Sequence, residues 1–156
     1  MAPTNQTRYL KGRTNDGRRL YEANDSDNTM IGSDDHDQLN GKKGNDLLKA
    51  SKGHDVLLGG LGHDTLYGGH GDDLLVGGKG QDKLIGGPGS DTFFISYGQR
   101  TILDFDFNEG DSLLFGVFLT NISYAQSGDN VLVQSDQGIT ILLNQSVEDF
   151  IVYGHP

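Results

Sequence analysis

The sequence predicts an all-β protein whose main body is a parallel solenoid, and three observations predict it. Residues 23–94 repeat every nine residues, most completely in "GGLGHDTLYGGHGDDLLVGGKGQDKLIGGPGSDTFF" from Gly59 to Phe94. Glycine supplies 24 of the 156 residues while hydrophobic residues make up 34%, a balance that suits a patterned stack better than one large globular core. After residue 100 the repeat gives way to period-two alternation, as in "TILDF", "SLLF", "NVLVQS" and "GITILLN", which reads as short strands.

The chain divides into a basic arm and degenerate cap (1–22), the repeats (23–94) and a strand-built capping segment (95–156). The arm carries Arg8, Lys11, Arg13, Arg18 and Arg19 against Asp16 and Glu22, and reads as solvated, with contact to an acidic partner as the alternative. Its opening, "MAPTNQTRYLKGRTNDGRR", lacks the apolar stretch of an amino-terminal secretory signal. No apolar run reaches the ~18 residues of a membrane span. A net charge of −10 argues against nucleic acid and anionic membranes as partners. With no cysteine, neither disulfides nor thiol chemistry is available.

Rows of the repeat begin at 23, 32, 41, 50, 59, 68, 77 and 86. The sixth position reads Asn28, Asp37, Asp46, Asp55, Asp64, Asp73, Asp82 and Asp91. The eighth reads Met30, Leu39, Leu48, Leu57, Leu66, Leu75, Leu84 and Phe93. Glycine holds the fourth position from Gly44 to Gly89, and the first in all rows but those of Ala23 and Ala50. Residues 14–22 keep Gly17 and Tyr21 in phase but offer Arg19 in place of Asp, as a cap would. Six turn-forming residues and three strand-like ones make half a coil, so two rows close an 18-residue turn and the eighth positions form a single-file core. A flexible glycine linker would not hold Leu and Asp in phase across the whole stretch.

Gly-Gly-x-Gly-x-Asp-x-Leu-x resembles the RTX nonapeptide of calcium-binding modules in secreted bacterial proteases of the serralysin type, lipases, toxins and mannuronan epimerases. The resemblance covers 23–94, and "SDTFFISYGQRTILDFDFNEGDSLLF" is similar to the capping stretch that follows such repeats. It implies an all-β, right-handed parallel β-roll (a β-solenoid) with a short-stranded β carboxyl-terminal cap. It also implies calcium as the cofactor, about five ions.

Calcium takes six to eight hard oxygen ligands in flexible geometry, glycines with positive φ bring carbonyls together, and the aspartates supply anionic oxygens. In the family pattern an ion lies between a loop and the loop two rows later. The first gives the carbonyls of positions two and four with its Asp, the later gives those of positions one and three with its Asp. Transferred to this chain, one set is Gly60, Gly62 and Asp64 with Gly77, Lys79 and Asp82. On the opposite edge, Gly69, Gly71 and Asp73 join Gly86, Pro88 and Asp91, and Ser51, Gly53 and Asp55 join Gly68, His70 and Asp73. Lys42, Gly44 and Asp46 join Gly59, Leu61 and Asp64. A weaker fifth set pairs Ser33, Asp35 and Asp37 with Ala50, Lys52 and Asp55. Gly78, Gly80, Gly87 and Gly89 keep the same loop offsets, and Asp104 with Asp111 stands where a terminal site with Asp82 or Asp91 would be completed. Asp55, Asp64 and Asp73 each serve two sets, so uptake is expected to be cooperative.

Positions seven and nine face outward. One sheet then shows Val56, Leu58, Leu74, Val76, Thr92 and Phe94, and the other Leu47, Lys49, Thr65, Tyr67, Lys83 and Ile85. The apolar face calls for a cover, most simply the carboxyl-terminal segment, otherwise a partner chain. The end, "VEDFIVYGHP", resembles an uncleaved type I secretion signal and reads equally as a last strand, Phe150–Tyr153.

No Gly-x-Ser-x-Gly elbow and no His-Glu-x-x-His helix is present, and His36, His54, His63, His70 and His155 have no catalytic or zinc spacing. An enzyme is not expected. The leading expectation is a module that folds on calcium outside the cell after type I export, stabilising itself or an attached protein. The alternatives are a calcium-dependent binder of acidic, alginate-like polysaccharide, using Lys49, Tyr67, Lys83 and the basic arm, and a surface adhesion protein.

Overall fold

The computed structural model describes residues 10–116, 121–136 and 138–145. Among them every regular element is a strand. In chain order these are β1 (Leu10–Arg13), β2 (Arg19–Glu22), β3 (Thr29–Ile31), β4 (Asp37–Lys43), β5 (Leu47–Lys52), β6 (Val56–Leu61), β7 (Thr65–His70) and β8 (Leu74–Lys79). There follow β9 (Gln81–Ile85), β10 (Thr92–Ile95), β11 (Gln99–Ile102), β12 (Ser112–Phe115), β13 (Ser123–Ser127), β14 (Asn130–Ser135) and β15 (Gly138–Leu142).

Successive rows fall on alternate sheets, one ordered β1-β2-β4-β6-β8-β10-β12 and the other β13-β14-β15-β11-β9-β7-β5-β3. Pairing along the repeats is parallel at an 18-residue offset: Leu39 lies beside Leu57 and Leu57 beside Leu75 on one sheet, Leu48 beside Leu66 and Leu66 beside Leu84 on the other. This is the parallel β-roll that the nine-residue period predicts. Every eighth-position side chain from Met30 to Phe93 is at most 1% exposed, and the column continues through Ile102 and Leu142.

The glycine pattern has a steric cause at the coil corners. Gly60 and Gly62 hold φ of 112° and 135°, and a Cβ on them would meet the carbonyl oxygens of Lys42 and Gly44 at 2.1 and 1.9 Å. Of the second positions that are not glycine, Lys42 (φ 75°) and Ser51 (φ 101°) adopt the left-handed region anyway, at about 1–2 kcal/mol each, whereas Asn24 and Ser33 do not.

The nine-residue phase runs beyond residue 94. β11 stacks on β9 with Arg100 beside Asp82 and Ile102 beside Leu84. β15 rejoins the stack on β11, pairing Leu142 with Ile102, after the antiparallel excursion of β13 and β14. Of the strands expected after residue 100, "DFIVY" lies outside the described residues; β13 is one the alternation did not single out.

The described arm strand is exposed throughout, and it is also tied to the stack: β1 pairs with β2, β2 stacks on β4, and Lys11, Arg18 and Arg19 pair with Glu22, Asp16 and Asp35. Of the segment expected to cover the apolar face, the described strands β13–β15 extend the other sheet instead, along the ladder edge left by β11, and residues 146–156 lie outside the described residues. Val56, Leu58, Leu74, Val76 and Phe94 are half-buried against one another, and Leu114 continues their stripe beside Phe94.

Candidate metal centre

The coil corners gather the residues that the nonapeptide phase singles out. Each sixth-position carboxylate is turned inward and is at most 2% exposed from Asp37 to Asp91. From Asp46 to Asp91, one of its oxygens accepts the backbone N–H of the sixth residue one coil earlier. Thus Asp46 N–H donates to Asp64 (2.8 Å), Asp55 to Asp73 (2.7 Å), Asp64 to Asp82 (3.1 Å) and Asp73 to Asp91 (2.9 Å). The other oxygen is left without any partner. Oδ2 of Asp46, Asp55, Asp64, Asp73, Asp82 and Asp91 is buried and receives no hydrogen bond.

A row of orphaned anionic oxygens is costly unless a cation meets it, and a divalent hard cation fits these donors. Oδ2 of Asp64 lies where a Cβ on Gly59 would meet it at 2.4 Å, and Gly68, Gly77 and Gly86 stand likewise to Asp73, Asp82 and Asp91. First-position glycine therefore leaves room for the carboxylate. The carbonyls of Gly60 and Gly62 point at Gly78 and Gly80 of the next coil, and those of Gly69 and Gly71 at Gly87 and Gly89. Third-position carbonyls of the later loop already accept one hydrogen bond each: Leu61 from Gly44, His70 from Gly53, Lys79 from Gly62 and Pro88 from Gly71, at 2.9 to 3.0 Å. Each keeps a second lone pair. Among the described residues no group of three or more acidic or histidine side chains converges; what each loop pair offers a cation is two carboxylates and main-chain carbonyls.

The two ends of the ladder differ. Asp37 is partly satisfied, since Ser33 donates both its N–H (2.5 Å) and its hydroxyl (2.8 Å) to one carboxylate oxygen. At the far end Asp111 accepts the N–H of Asp91 (2.8 Å), and Asp104 accepts those of Gly86 and Gly87 (3.0 and 2.9 Å). Asp111 thus follows Asp91 in its column and Asp104 holds the neighbouring Gly86–Gly87 corner, while Arg100 stands beside Asp82.

Sequence reasoning passed over the fifth position. Its side chains form a second ladder: His36 Nδ1 accepts the N–H of His54, His54 Nδ1 that of Asp72, Asn45 Oδ1 that of His63, and His63 Nδ1 that of Gln81. These histidines are exposed but structural: His36 and His54 recur at eighteen residues on one edge, and His63 keeps that spacing with Asn45 and Gln81 on the other.

Burial pushes the Asp55 and Asp91 carboxyls up to about 7 and those of Asp46, Asp64 and Asp73 up to about 6, and raises Asp82 and Asp111 as well. Neighbouring carboxylates add to the effect at Asp55 and Asp91.

Residues 21–94 match the family described as "RTX calcium-binding nonapeptide repeat (4 copies)", in overlapping segments 21–48, 31–66, 49–84 and 67–94. Among solved structures, an extracellular lipase from Serratia marcescens is similar at 16% identity and a TM-score of 0.43, over 83% of this chain and 38% of the lipase. A subunit of the mannuronan C5-epimerase of Azotobacter vinelandii is similar at 26% identity and a TM-score of 0.42, over 86% of this chain and 76% of that subunit. No curated protein matches the sequence.

Carboxyls raised in the folded state favour it when protonated, so that stability is present in acid and is lost as pH rises through about 6 to 7. Circular dichroism of the chelated chain should show strand content increasing from pH 8 to pH 5. The calcium concentration at the folding midpoint should fall as pH rises over the same range; an opposite trend in either contradicts the ladder.

Proposed function

Because residues 21–94 belong to the RTX calcium-binding nonapeptide repeat family, we propose that this chain is a module that folds on binding about five calcium ions outside the cell. The observation that supports it is the file of buried carboxylate oxygens with no partner, those of Asp46, Asp64 and Asp73 lying near the carbonyls of Gly59, Gly77 and Gly86 on the adjoining coil. Calcium supplies the positive charge that these groups lack. Asp46, Asp55, Asp64, Asp73, Asp82 and Asp91 bind and are neutralised, with Asp37 in a weaker set. The loop carbonyls complete the shell, and glycines hold the loops open. Asp64 belongs to two adjacent sets on one edge, and Asp55 and Asp73 do the same on the other. Filling one set orders half of the next.

Export follows from the same requirement. A chain that stays unfolded at low cytosolic calcium suits passage through a type I apparatus, and higher calcium outside folds it there. The segment 147–156, with its acidic-then-apolar pattern, is the proposed signal; it lies outside the described residues. The repeats would stabilise their own chain or an attached protein.

Calcium titration followed by circular dichroism should give a cooperative rise in strand content, with a Hill coefficient above 1, that magnesium does not reproduce. Asp64→Ala and Asp73→Ala should each remove two ions and raise the midpoint at least about tenfold, the equivalent of ~1.4 kcal/mol. Equal folding in chelator and in calcium at neutral pH would exclude the proposal.

One observation favours a second reading, an acidic polysaccharide binder. Lys49 lies over the ring of the exposed Tyr67, 5.2 Å from its centroid, and Lys83 pairs beside Thr65 on the same sheet. A gel containing alginate should retard the calcium-loaded chain, and replacing Lys49 and Lys83 by Ala should abolish the retardation; unretarded wild type rules the reading out.

A further inference from the structure

The sixth-position column that descends one edge through Asp46, Asp64 and Asp82 does not end in another carboxylate. Residues 95–103 keep the nonapeptide phase, with Gly98 fourth and Ile102 eighth, and put Arg100 sixth. Arg100 pairs with Asp82 on one side and Thr140 on the other, and is 3% exposed. A buried arginine in a row of aspartates needs a reason.

Its hydrogen bonds supply one. By the offsets of the earlier loops, a cation between the rows of Asp82 and Arg100 would face the carbonyls of Gly78 and Gly80 from the first loop and of Ile95 and Tyr97 from the later one. Arg100 Nη2 donates to Tyr97 O at 2.5 Å and to Gly78 O at 3.4 Å. Nη1 donates to Ser96 O at 3.2 Å and to the Thr140 hydroxyl at 3.4 Å. The carbonyl of Gly80 is taken by the N–H of Gln99 (2.7 Å). One carbonyl from each loop of the pair thus already meets positive charge, beside a carboxylate, Asp82, that has an oxygen to spare. The next residue in the column, Thr140, brings no charge.

Resting on the calcium reading above, we propose that the Arg100 guanidinium is a resident cation that occupies the place of the next calcium ion, between the rows of Asp82 and Arg100, and so terminates the calcium ladder on this edge. A planar guanidinium suits a cluster of carbonyls: its two Nη groups meet Ser96, Tyr97, Gly78 and the Thr140 hydroxyl, while Nε is left buried without a partner. The carboxyl-terminal coil is therefore joined to the last repeat on this edge without metal. On the other edge Asp111 succeeds Asp91, so that column stays anionic to its end.

Two measurements on the full chain test this. In nitrogen-labelled, calcium-saturated protein the Arg100 guanidinium protons should exchange slowly, giving a side-chain resonance that Arg100→Lys removes. A resonance exchanging as fast as that of free arginine overturns the proposal. By equilibrium dialysis, Arg100→Asp should bind one more calcium per chain than wild type, and Arg100→Lys the wild-type number. An unchanged count in a folded Arg100→Asp overturns it; if that variant does not fold, the exchange measurement decides alone. Wild type that binds no calcium in the same dialysis refutes the calcium reading itself, whereas an intact wild-type count with a mobile guanidinium refutes only the role of Arg100.

Discussion

A column of buried carboxylates stacked one coil apart is the constraint on which the rest of this fold depends. Unit charges at strand spacing, ~4.8 Å, repel by about 3 kcal/mol per adjacent pair at an effective dielectric constant near 20. No such column survives fully ionised and bare. Only protons or cations can neutralise it, and the two compete for the same oxygens. The upward shifts at Asp55 and Asp91, both to about 7, are that constraint seen from the proton's side. The unpartnered Oδ2 atoms are the same constraint seen from the metal's side.

The apolar core cannot carry the structure in the usual way. Within the repeats its large side chains form a single file from Met30 to Phe93, to which each coil adds two residues. Backbone pairing holds neighbouring coils together, but the corners must bring carbonyls and carboxylates into mutual repulsion for that pairing to form. On the proposed calcium reading, fold and cation binding are one equilibrium and not two. Glycine at the corners serves both: at Gly60 and Gly62 it permits the left-handed turn, and at Gly59 it leaves space for the Asp64 carboxylate.

Much of this was legible in the sequence, because a solenoid writes its geometry into a fixed period. The inward file, the 18-residue pairing and the turned-in aspartates all follow from offsets within nine residues. What the period did not reveal lies where the pattern breaks. Arg100 lacks the aspartate that marks a row, yet Gly98 and Ile102 beside it keep the phase. Thr140 rejoins the column only after a hairpin excursion, so its place depends on the stacking of β15 on β11 and on no local spacing. His36 and His54 share one fifth-position column with Asp72, and His63 shares the other with Asp27 and Asn45, because the ladder needs only an acceptor there. The ends are also where charge changes sign: Arg19 opens one column beside Asp37, and Arg100 closes the other beside Asp82.

The most direct test is the amide NMR spectrum at neutral pH with calcium and with excess chelator. Coupling of fold and cation predicts wide dispersion in calcium and collapse to the narrow amide range of an unfolded chain in chelator, reversed when calcium returns. A chelated spectrum with the same dispersion and the same peak positions as the calcium-loaded one would contradict it.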